Sequence, residues 1–212
     1  MRARVFIDFW NFQLGWNEAA GRDAGGRIIQ CDWSKLPRAL VEAADGLLTA
    51  AGNPPGLTLE ETIVHASVND SSQANPQEAR LRDWLTSWLD RQPSFDVKIR
   101  TRRPRRRTIH CRACAAEIAT CPSCRAVLTV AAEKGVDAAL VTDLLSLAWQ
   151  RAYDVAVLVS GDSDYIPAVE YVQSQGLKVV NAAWPTKGYE LQGACWATFS
   201  LSTLIPKLTR TI

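Results

Sequence analysis

Two short apolar runs dominate the hydrophobic pattern of the chain. The first, Val5-Phe-Ile7, lies in a predicted strand at residues 3–9 and precedes Asp8, and the second, residues 155–159, is followed by Ser160-Gly-Asp-Ser-Asp164. Runs of this length without alternating polar positions are typical of strands that are buried on both faces, as in a parallel sheet covered by helices. The pattern therefore predicts two central strands, each with carboxylates at its end.

The rest of the pattern alternates predicted strands with predicted helices. Further strands are predicted at residues 61–68, 95–100 and 177–181, and helices at about 32–50, 77–89, 137–151, 164–175 and 190–196. Trp84 and Trp88 are expected to belong to the core rather than to a binding platform. The glycines between residues 15 and 31 predict a loop, the tail from Leu201 has no assigned element, and we recognise no internal repeat. This order predicts an α/β fold with a largely parallel sheet and right-handed crossovers.

Aspartates stand where the predicted strands end and where one helix begins. Asp8 ends the first strand and Asp162 and Asp164 follow a later one, so parallel strands would bring them to one edge of the sheet. Asp137 is in line with the apolar face of its helix and is expected to face the sheet, with Asp143 on the rim of that face. Clustered carboxylates repel each other, and Mg²⁺ or Mn²⁺ would remove that penalty and activate water for attack on a phosphodiester.

Helix capping is the alternative role for these acids. Asp137 could be an N-cap, and Asp162 and Asp164 could cap the helix that follows them. Asp143 could be a solvent-exposed surface residue. Four acids at strand ends and a helix start, in a chain with only two histidines, favour the metal site.

Four of the six cysteines form a CxxC-x6-CxxC motif, Cys111-Arg-Ala-Cys114 and Cys121-Pro-Ser-Cys124. Each CxxC brings two thiolates to one ion, and two such pairs complete a tetrahedral Zn²⁺ site. Disulfides are the alternative, which a reducing compartment disfavours. We therefore predict a structural Zn²⁺ in an insert at residues 109–127, which the metal would fold.

An arginine-rich segment precedes this insert. The net charge is only +2, yet residues 98–112 carry eight basic residues and no acid. Guanidinium groups pair with phosphate oxygens and give salt-sensitive, sequence-independent affinity. A solvated loop is the alternative. We expect nucleic-acid contacts from six arginines: Arg100, Arg102, Arg103, Arg105, Arg106 and Arg107.

These motifs resemble the NYN domain, in its LabA-like (DUF88) branch of the PIN-like nucleases. The resemblance rests on Asp8-Phe-Trp-Asn11, Lys134-Gly-Val-Asp137 with Asp143, Val157-Leu-Val-Ser-Gly-Asp-Ser-Asp164 and Gly176-Leu-Lys-Val-Val180, in that order. It covers about residues 3–108 and 128–205. It implies a PIN-like three-layer α/β/α sandwich with a central mostly parallel sheet, formed by residues 1–108 and 128–212. The cysteine insert is an addition to the plain NYN pattern.

The resemblance also implies a chemistry and the residues that perform it. It implies cleavage of RNA that depends on Mg²⁺ or Mn²⁺, with Asp8, Asp137, Asp162 and Asp164 as the metal ligands. Asn11 would support the site, Ser160 would form a hydrogen bond within it, and Asp143 is a further candidate.

The leading functional prediction is a metal-dependent endoribonuclease acting on single-stranded or flexible RNA. The alternative is a non-catalytic RNA-binding module that uses the arginines and the zinc insert. A phosphatase with an aspartate nucleophile would need a second acid two positions after Asp8, where the chain has Trp10. The chain has neither a signal-peptide pattern nor a run of roughly 20 apolar residues, so we expect a cytoplasmic protein without a membrane span. A homo-oligomer is left open.

Overall fold

The structure is a computed structural model that describes residues 1–22, 26–69, 76–102, 104–131 and 135–210. Lys134 and Arg103, both named above, lie outside these residues, and Arg105 is described by its backbone alone. In chain order the elements are β1 (Arg2–Asp8), α1 (Phe9–Ala19), α2 (Leu36–Ala50), β2 (Thr58–Asn69), α3 (Pro76–Trp84), β3 (Phe95–Arg102), β4 (Pro104–Arg106), β5 (Ile109–His110), β6 (Glu117–Ile118), β7 (Thr129–Ala131), α4 (Val136–Trp149), β8 (Val155–Val159), α5 (Ile166–Ser174), β9 (Lys178–Ala183), α6 (Tyr189–Ala194), β10 (Ala197–Ser200) and α7 (Ile205–Leu208).

Six of these strands form one sheet, in the order β10-β9-β8-β1-β2-β3. Every neighbouring pair is parallel, including the central pair of β1 with β8. The prediction of a mostly parallel α/β sheet is confirmed. Parallel strands all end at the same edge of a sheet, so the residues after β1 and β8 come together there.

Helices cover both faces of the sheet. In β1, Ala3, Val5 and Ile7 pack with α1, α2 and α7 in one hydrophobic cluster. Phe6, which points to the opposite face, packs in a second cluster with α4, α5 and α6. Each apolar side chain buried in this way contributes about 1.5–3 kcal/mol to stability. The result is the predicted PIN-like α/β/α sandwich.

Helix α1 differs from the predicted loop, which began at Gly15. Residues Phe9–Ala19 are helical, and Gly15 lies inside the helix under the ring of Trp184. A Cβ atom added to Gly15 would lie 2.1 Å from that ring. Glycine lowers helix propensity by roughly 1 kcal/mol, and here close packing against tryptophan offsets that cost.

The C-terminal part of the chain also differs from the prediction. Helix α6 stops at Ala194, and the following residues form β10, a sixth strand of the sheet, and then α7, in the tail that had no assigned element.

The predicted helix at residues 77–89 is α3 continued by a π-helical turn, Leu85–Leu89. No helix within the described ranges has the length and apolar character to cross a membrane.

An antiparallel arm extends the chain beyond β3, the last strand of the sheet. Strand β4 pairs with β7, and the short hairpin of β5 with β6 lies between them in the sequence. The arm starts at the carboxyl end of β3, and it carries part of the arginine-rich segment and the cysteine insert.

Candidate active site at the carboxyl edge of the sheet

Asp8 is held at the point where β1 ends and α1 begins. Its side chain is 8% exposed, and its Oδ1 accepts a hydrogen bond from the backbone N–H of Asn11 at 3.1 Å, which caps α1. Its Oδ2 lies 3.4 Å from the donating hydroxyl of Ser160. A buried carboxylate needs such donors, because burial without partners would cost several kcal/mol.

The loop after β8 is tied to Asp8 and to α1. The Ser160 hydroxyl accepts from the N–H of Asp162 at 3.2 Å, and Asp162 Oδ1 accepts from the N–H of Asp164 at 3.0 Å. The side-chain oxygen of Asn11 accepts from the N–H of Gly161 at 3.1 Å. The ends of the two central strands are therefore fixed relative to each other.

Tyr165 links the acid of β1 to the acid of α4. Its buried hydroxyl donates to Asp137 Oδ1 at 3.0 Å and lies 3.4 Å from Asp8 Oδ2. Burial, and then the charges of Asp8 and Asp137, raise the pKa of Tyr165 well above its usual range. The phenol therefore stays protonated and places one proton between two carboxylates.

A buried asparagine shapes the loop from the neighbouring strand. Asn181 of β9 is fully buried, and its Nδ2 donates to the carbonyl oxygens of Leu158 at 3.0 Å and Ser160 at 2.9 Å. Neither Asn181 nor Tyr165 was among the predicted site residues. The available signals were a lone polar residue inside an apolar strand and an aromatic residue directly after Asp164.

Most of the predicted site residues form one hydrogen-bonded group, here called the acid network: Asp8, Asn11, Asp137, Ser160 and Asp162, together with Tyr165. Asp164 is exposed and joins it through its backbone N–H. Asp143 is instead engaged by Lys98 and His65: its Oδ2 accepts from Lys98 Nζ at 2.7 Å and lies 3.1 Å from His65 Nε2.

Capping and clustering occur together in this group. Asp162 caps the 3₁₀ turn Ser163–Tyr165, whereas α4 is capped by Gly135 in a left-handed conformation, with Asp137 in its first turn. Asp162 is therefore a cap, as the alternative role predicted, whereas Asp137 does not cap α4.

The carboxylate oxygens of the acid network suit a hard cation, although they do not converge on one point. Among the described residues, no three His, Cys, Asp or Glu side chains are grouped closely enough to hold a metal ion. Mg²⁺ keeps several waters and binds through only one or two carboxylates, so a loose set of acids is compatible with it.

Comparison with known proteins decides the family. The model of the NYN domain matches residues 2–202. The chain belongs to the NYN domain family. NYN domains are in general nucleases of the PIN-like superfamily. The predicted LabA-like branch stays a prediction.

One protein with a similar sequence and one with a similar structure add detail. The uncharacterized protein y4oD of Sinorhizobium fredii is 49% identical over 47 residues, which is 22% of each chain. The chain thus matches about a fifth of the length of that relative. A protein of unknown function from Vibrio parahaemolyticus, VPA0982, has a similar structure, with a TM-score of 0.54 and 14% sequence identity over 94% of this chain and 92% of its own. The second likeness concerns the fold alone.

Next to the acids of the NYN domain lies a buried histidine, His65, which pairs with Asp8 across β1 and β2. Burial lowers its pKa to about 4, although the negative charge of Asp143 opposes this shift. His65 is therefore neutral in the folded protein at pH values where the unfolded chain, with an ordinary pKa of 6.5, becomes protonated. The stability gained from this difference is complete above about pH 6.5 and is lost as the pH falls towards 4.

We expect this histidine to make the NYN domain sensitive to mild acid. Between pH 7.5 and pH 5, the free energy of unfolding should fall by about 2 kcal/mol through His65 alone. Urea titrations of wild type and His65→Gln at both pH values measure this. The pH difference should shrink in His65→Gln and persist in His110→Gln, which changes an exposed histidine. An equal pH difference in all three proteins would contradict the assignment.

Two glycines allow the loop after β8 to approach the start of α6. Gly188 has φ +69°, and a Cβ atom on it would lie 2.6 Å from Gly161 Cα and 2.8 Å from Gly161 O. A side chain at this position would push away the backbone that carries Ser160 and Asp162.

We expect Gly188→Ala to destabilise the NYN domain by about 2 kcal/mol or more, since the left-handed conformation alone costs about 1–2 kcal/mol with a Cβ atom. Gly193→Ala in α6 is the matched control, because its added Cβ would meet nothing within 4 Å. It should leave stability unchanged or raise it by up to about 1 kcal/mol. Thermal unfolding compares the two, and equal melting temperatures would refute the steric argument.

The cysteine insert consists of two turns with the same geometry. In the first, Cys111 N–H donates to Ala116 O at 2.9 Å and Ala115 N–H to Cys111 O at 2.8 Å. In the second, Cys121 N–H donates to Ala126 O and Arg125 N–H to Cys121 O, both at 2.8 Å. Ala115 and Arg125 have φ of 59° and 57°. The two CxxC turns, ten residues apart, are thus alike in hydrogen bonding and backbone conformation.

Each turn also lowers the pKa of its first thiol. Backbone N–H groups of Cys114 and Ala113 lower the pKa of Cys111, and those of Cys124 and Ser123 lower the pKa of Cys121. All four cysteines are free, and, although the two CxxC pairs lie near each other, no three of these described thiols are grouped closely enough to hold one ion. Thiolate stabilised by N–H donors is the form that binds Zn²⁺.

The predicted nucleic-acid-binding arginines occupy two different surroundings. Arg100, Arg106 and Arg107 are exposed. Arg102 is half-buried at the end of β3, with its guanidinium 5.2 Å from the centre of the Trp10 ring and 3.6 Å from Glu78 Oε1. Arg102 is thus fixed in place beside the start of α1.

Proposed function

We propose that this NYN domain is a metal-dependent ribonuclease that cuts within RNA chains. The observation that carries the proposal is the single hydroxyl of Tyr165 in contact with Asp8 of β1 and Asp137 of α4. Carboxylates from distant parts of the chain are thereby held at the edge of a parallel sheet, where open α/β folds bind their ligands. Bringing like charges together lowers the stability of the fold, and a bound cation would offset that loss.

We assign the metal to Asp8, Asp137, Asp162 and Asp164, with Mg²⁺ or Mn²⁺ as the ion. When bound, such an ion lowers the pKa of water and neutralises charge on the leaving oxygen. The chain supplies the positioning: Tyr165 orients Asp137, and Asn11 and Ser160 hold the loop that carries Asp162 and Asp164. Asp143, paired with Lys98, would place a cation beside this site to contact the RNA backbone.

The arm and the cysteine insert would bind the RNA strand. Arg100, Arg106 and Arg107 are exposed along β3 and the arm, which begins at the same sheet edge as the acid network. Arg102, Arg103 and Arg105 belong to the same basic segment. A structural Zn²⁺ held by Cys111, Cys114, Cys121 and Cys124 would stabilise the insert in the reducing cytoplasm, because the repeated turns present equivalent thiols. Single-stranded or flexible RNA is the partner that such a basic arm suits.

A non-catalytic RNA-binding module is the second candidate. The absence of a preformed group of three ligands within the described residues favours it. In that case the arginines and the insert would bind RNA, and the acids would have a structural role.

Circular single-stranded RNA separates the two functions. We expect the purified protein to linearise a labelled RNA circle with Mg²⁺ or Mn²⁺ and not with EDTA, because a circle has no end for an exonuclease. Gel electrophoresis shows the linear product, and polarisation of the same labelled RNA measures binding. Tight binding without linearisation in either ion would support the binding module, and linearisation in EDTA would contradict metal dependence.

A further inference from the structure

A cavity of about 540 Å³ lies between α1, α3 and residues 30–34. This volume is within the roughly 300–1,000 Å³ range of small-ligand sites. Four tryptophans line it, Trp10, Trp33, Trp84 and Trp88. The expectation that Trp84 and Trp88 belong to the core holds only in part, because Trp88 is 39% exposed while Trp84 packs against the core. The cavity therefore presents aromatic surface to solvent.

The aromatic wall is already ordered by contacts among its rings. Trp84 and Trp88 stack at 5.6 Å with an angle of 20° between their planes, and Trp33 meets Trp84 edge-on at 5.6 Å. Trp33 is only 4% exposed and stacks in turn on Phe9. A flat ligand would therefore find a rigid surface, at little cost in side-chain entropy.

Two arginines give the cavity a positive rim. Arg80 of α3 and Arg210 after α7 are exposed lining residues. The acid in the lining, Asp32, is already occupied, since its oxygens accept from Ser34 at 2.5 Å and contact Lys35 at 3.0 Å. Among the described residues, no carboxylate forms an ion pair with either guanidinium. An apolar peptide or lipid would gain little from this rim, whereas a nucleotide presents both a ring and a phosphate.

The start of α1 connects the cavity to the acid network. Trp10 lies two positions after Asp8, and its Nε1 donates to Ser67 O at 2.7 Å, which fixes the ring. Arg102 lies over the same ring. Asp137 of the acid network belongs to α4 and is bonded to Tyr165 of the cluster on that face, whereas Phe9 and Trp33 of the cavity pack in the cluster on the α2 face. A chain of nucleotides crossing the carboxyl edge of β1 would pass from one to the other.

We propose that this cavity binds one unstacked nucleobase of the RNA, flat against the Trp88 ring, with Arg80 and Arg210 on the flanking phosphates. This proposal extends the proposed function, and it rests on that function for the conclusion that the bound strand is RNA. Base-on-tryptophan stacking is tolerant of sequence, so the cavity would hold the register of the strand on the site without selecting one sequence.

The test measures binding of a labelled single-stranded RNA octamer in EDTA, where no cleavage occurs. Trp88→Ala should weaken binding about tenfold. Trp149→Ala is the matched control, because Trp149 is 78% exposed on α4, on the opposite face of the sheet, and its loss should change affinity less than about twofold. Octamers with one abasic position each then locate the bound base.

Coupling between the two changes is the decisive readout. One abasic position should weaken binding by wild type about tenfold and by Trp88→Ala less than about twofold, because both changes remove the same contact. Arg80→Gln is a second variant, which should lower both the affinity and its salt dependence. An abasic series without effect on wild type, or one with equal effects on wild type and Trp88→Ala, would overturn the base site. If the abasic position and Trp88→Ala are coupled in binding but the protein never linearises RNA, the base site is supported and the nuclease function is refuted.

Discussion

Replacing Asp8 with asparagine should abolish RNA cleavage and leave the fold intact. Asparagine is as good an N-cap as aspartate, so its side-chain oxygen can still accept from the N–H of Asn11 and α1 keeps its cap. The substitution removes the negative charge that a cation requires. We expect the rate of RNA linearisation to fall by about a hundredfold to a thousandfold. The melting temperature should stay the same or rise, because one of several repelling charges is gone.

Asp154 provides the opposite control at the other edge of the sheet. Its Oδ2 accepts from the backbone N–H of Arg2 at 2.7 Å, and this bond lowers the pKa of the Asp154 carboxyl. Asp154→Asn should therefore cost up to about 1 kcal/mol of stability while cleavage continues at the wild-type rate. Measuring the melting temperature and the linearisation rate for both variants separates structural from catalytic roles. Cleavage by Asp8→Asn at the wild-type rate would show that the site has been misassigned.

Loss of zinc should remove RNA binding by the insert and spare the sandwich. A four-thiolate site contributes about 10–16 kcal/mol of apparent binding energy at neutral pH, far more than so short a segment gains from its own packing. We expect about one Zn²⁺ per chain in wild type and almost none in Cys121→Ser. Affinity for RNA should fall by about tenfold or more, because the arginines of the arm lose their ordered support.

The control for this variant is a cysteine outside the insert. Cys195 packs against the core, and burial raises its pKa to about 12, so it is a protonated thiol rather than a metal ligand. Cys195→Ala should keep both the zinc and the RNA affinity. Metal analysis of protein purified without added zinc, together with polarisation of labelled RNA, checks both values. Metal-free wild-type protein with full affinity would rule out the zinc assignment.

Helix α1 shows what the local pattern could not reveal about the fold. The buried strands could be predicted because β8 is apolar throughout and β1 has an apolar centre, Val5–Ile7, both buried under helices. It predicted a loop from Gly15 onward because glycine is a poor helix former. The reason for this glycine is the ring of Trp184, some 170 positions away, and contacts of that range cannot be recognised from neighbouring residues.

The residues of the candidate site, like the fold, could be predicted from the sequence only in part. Asp8 and Asp162 could be found because acids that follow buried strands are unusual and meet at one edge. Tyr165 and Asn181 were missed, since each acts through hydrogen bonds to groups on other strands and helices. Asp143 lay on the rim of the apolar face of its helix, and only the fold shows that Lys98 and His65 stand opposite it.

The parallel order of the sheet has a consequence for the newly made chain. Asp8 leaves the ribosome 152 residues before its partner Ser160. The strand that separates β1 from β9 must be synthesised before the acids can meet. Fragments that end before Ser160 would hold no assembled acid network, so the proposed centre would form only after β8 and the loop that follows it had been translated.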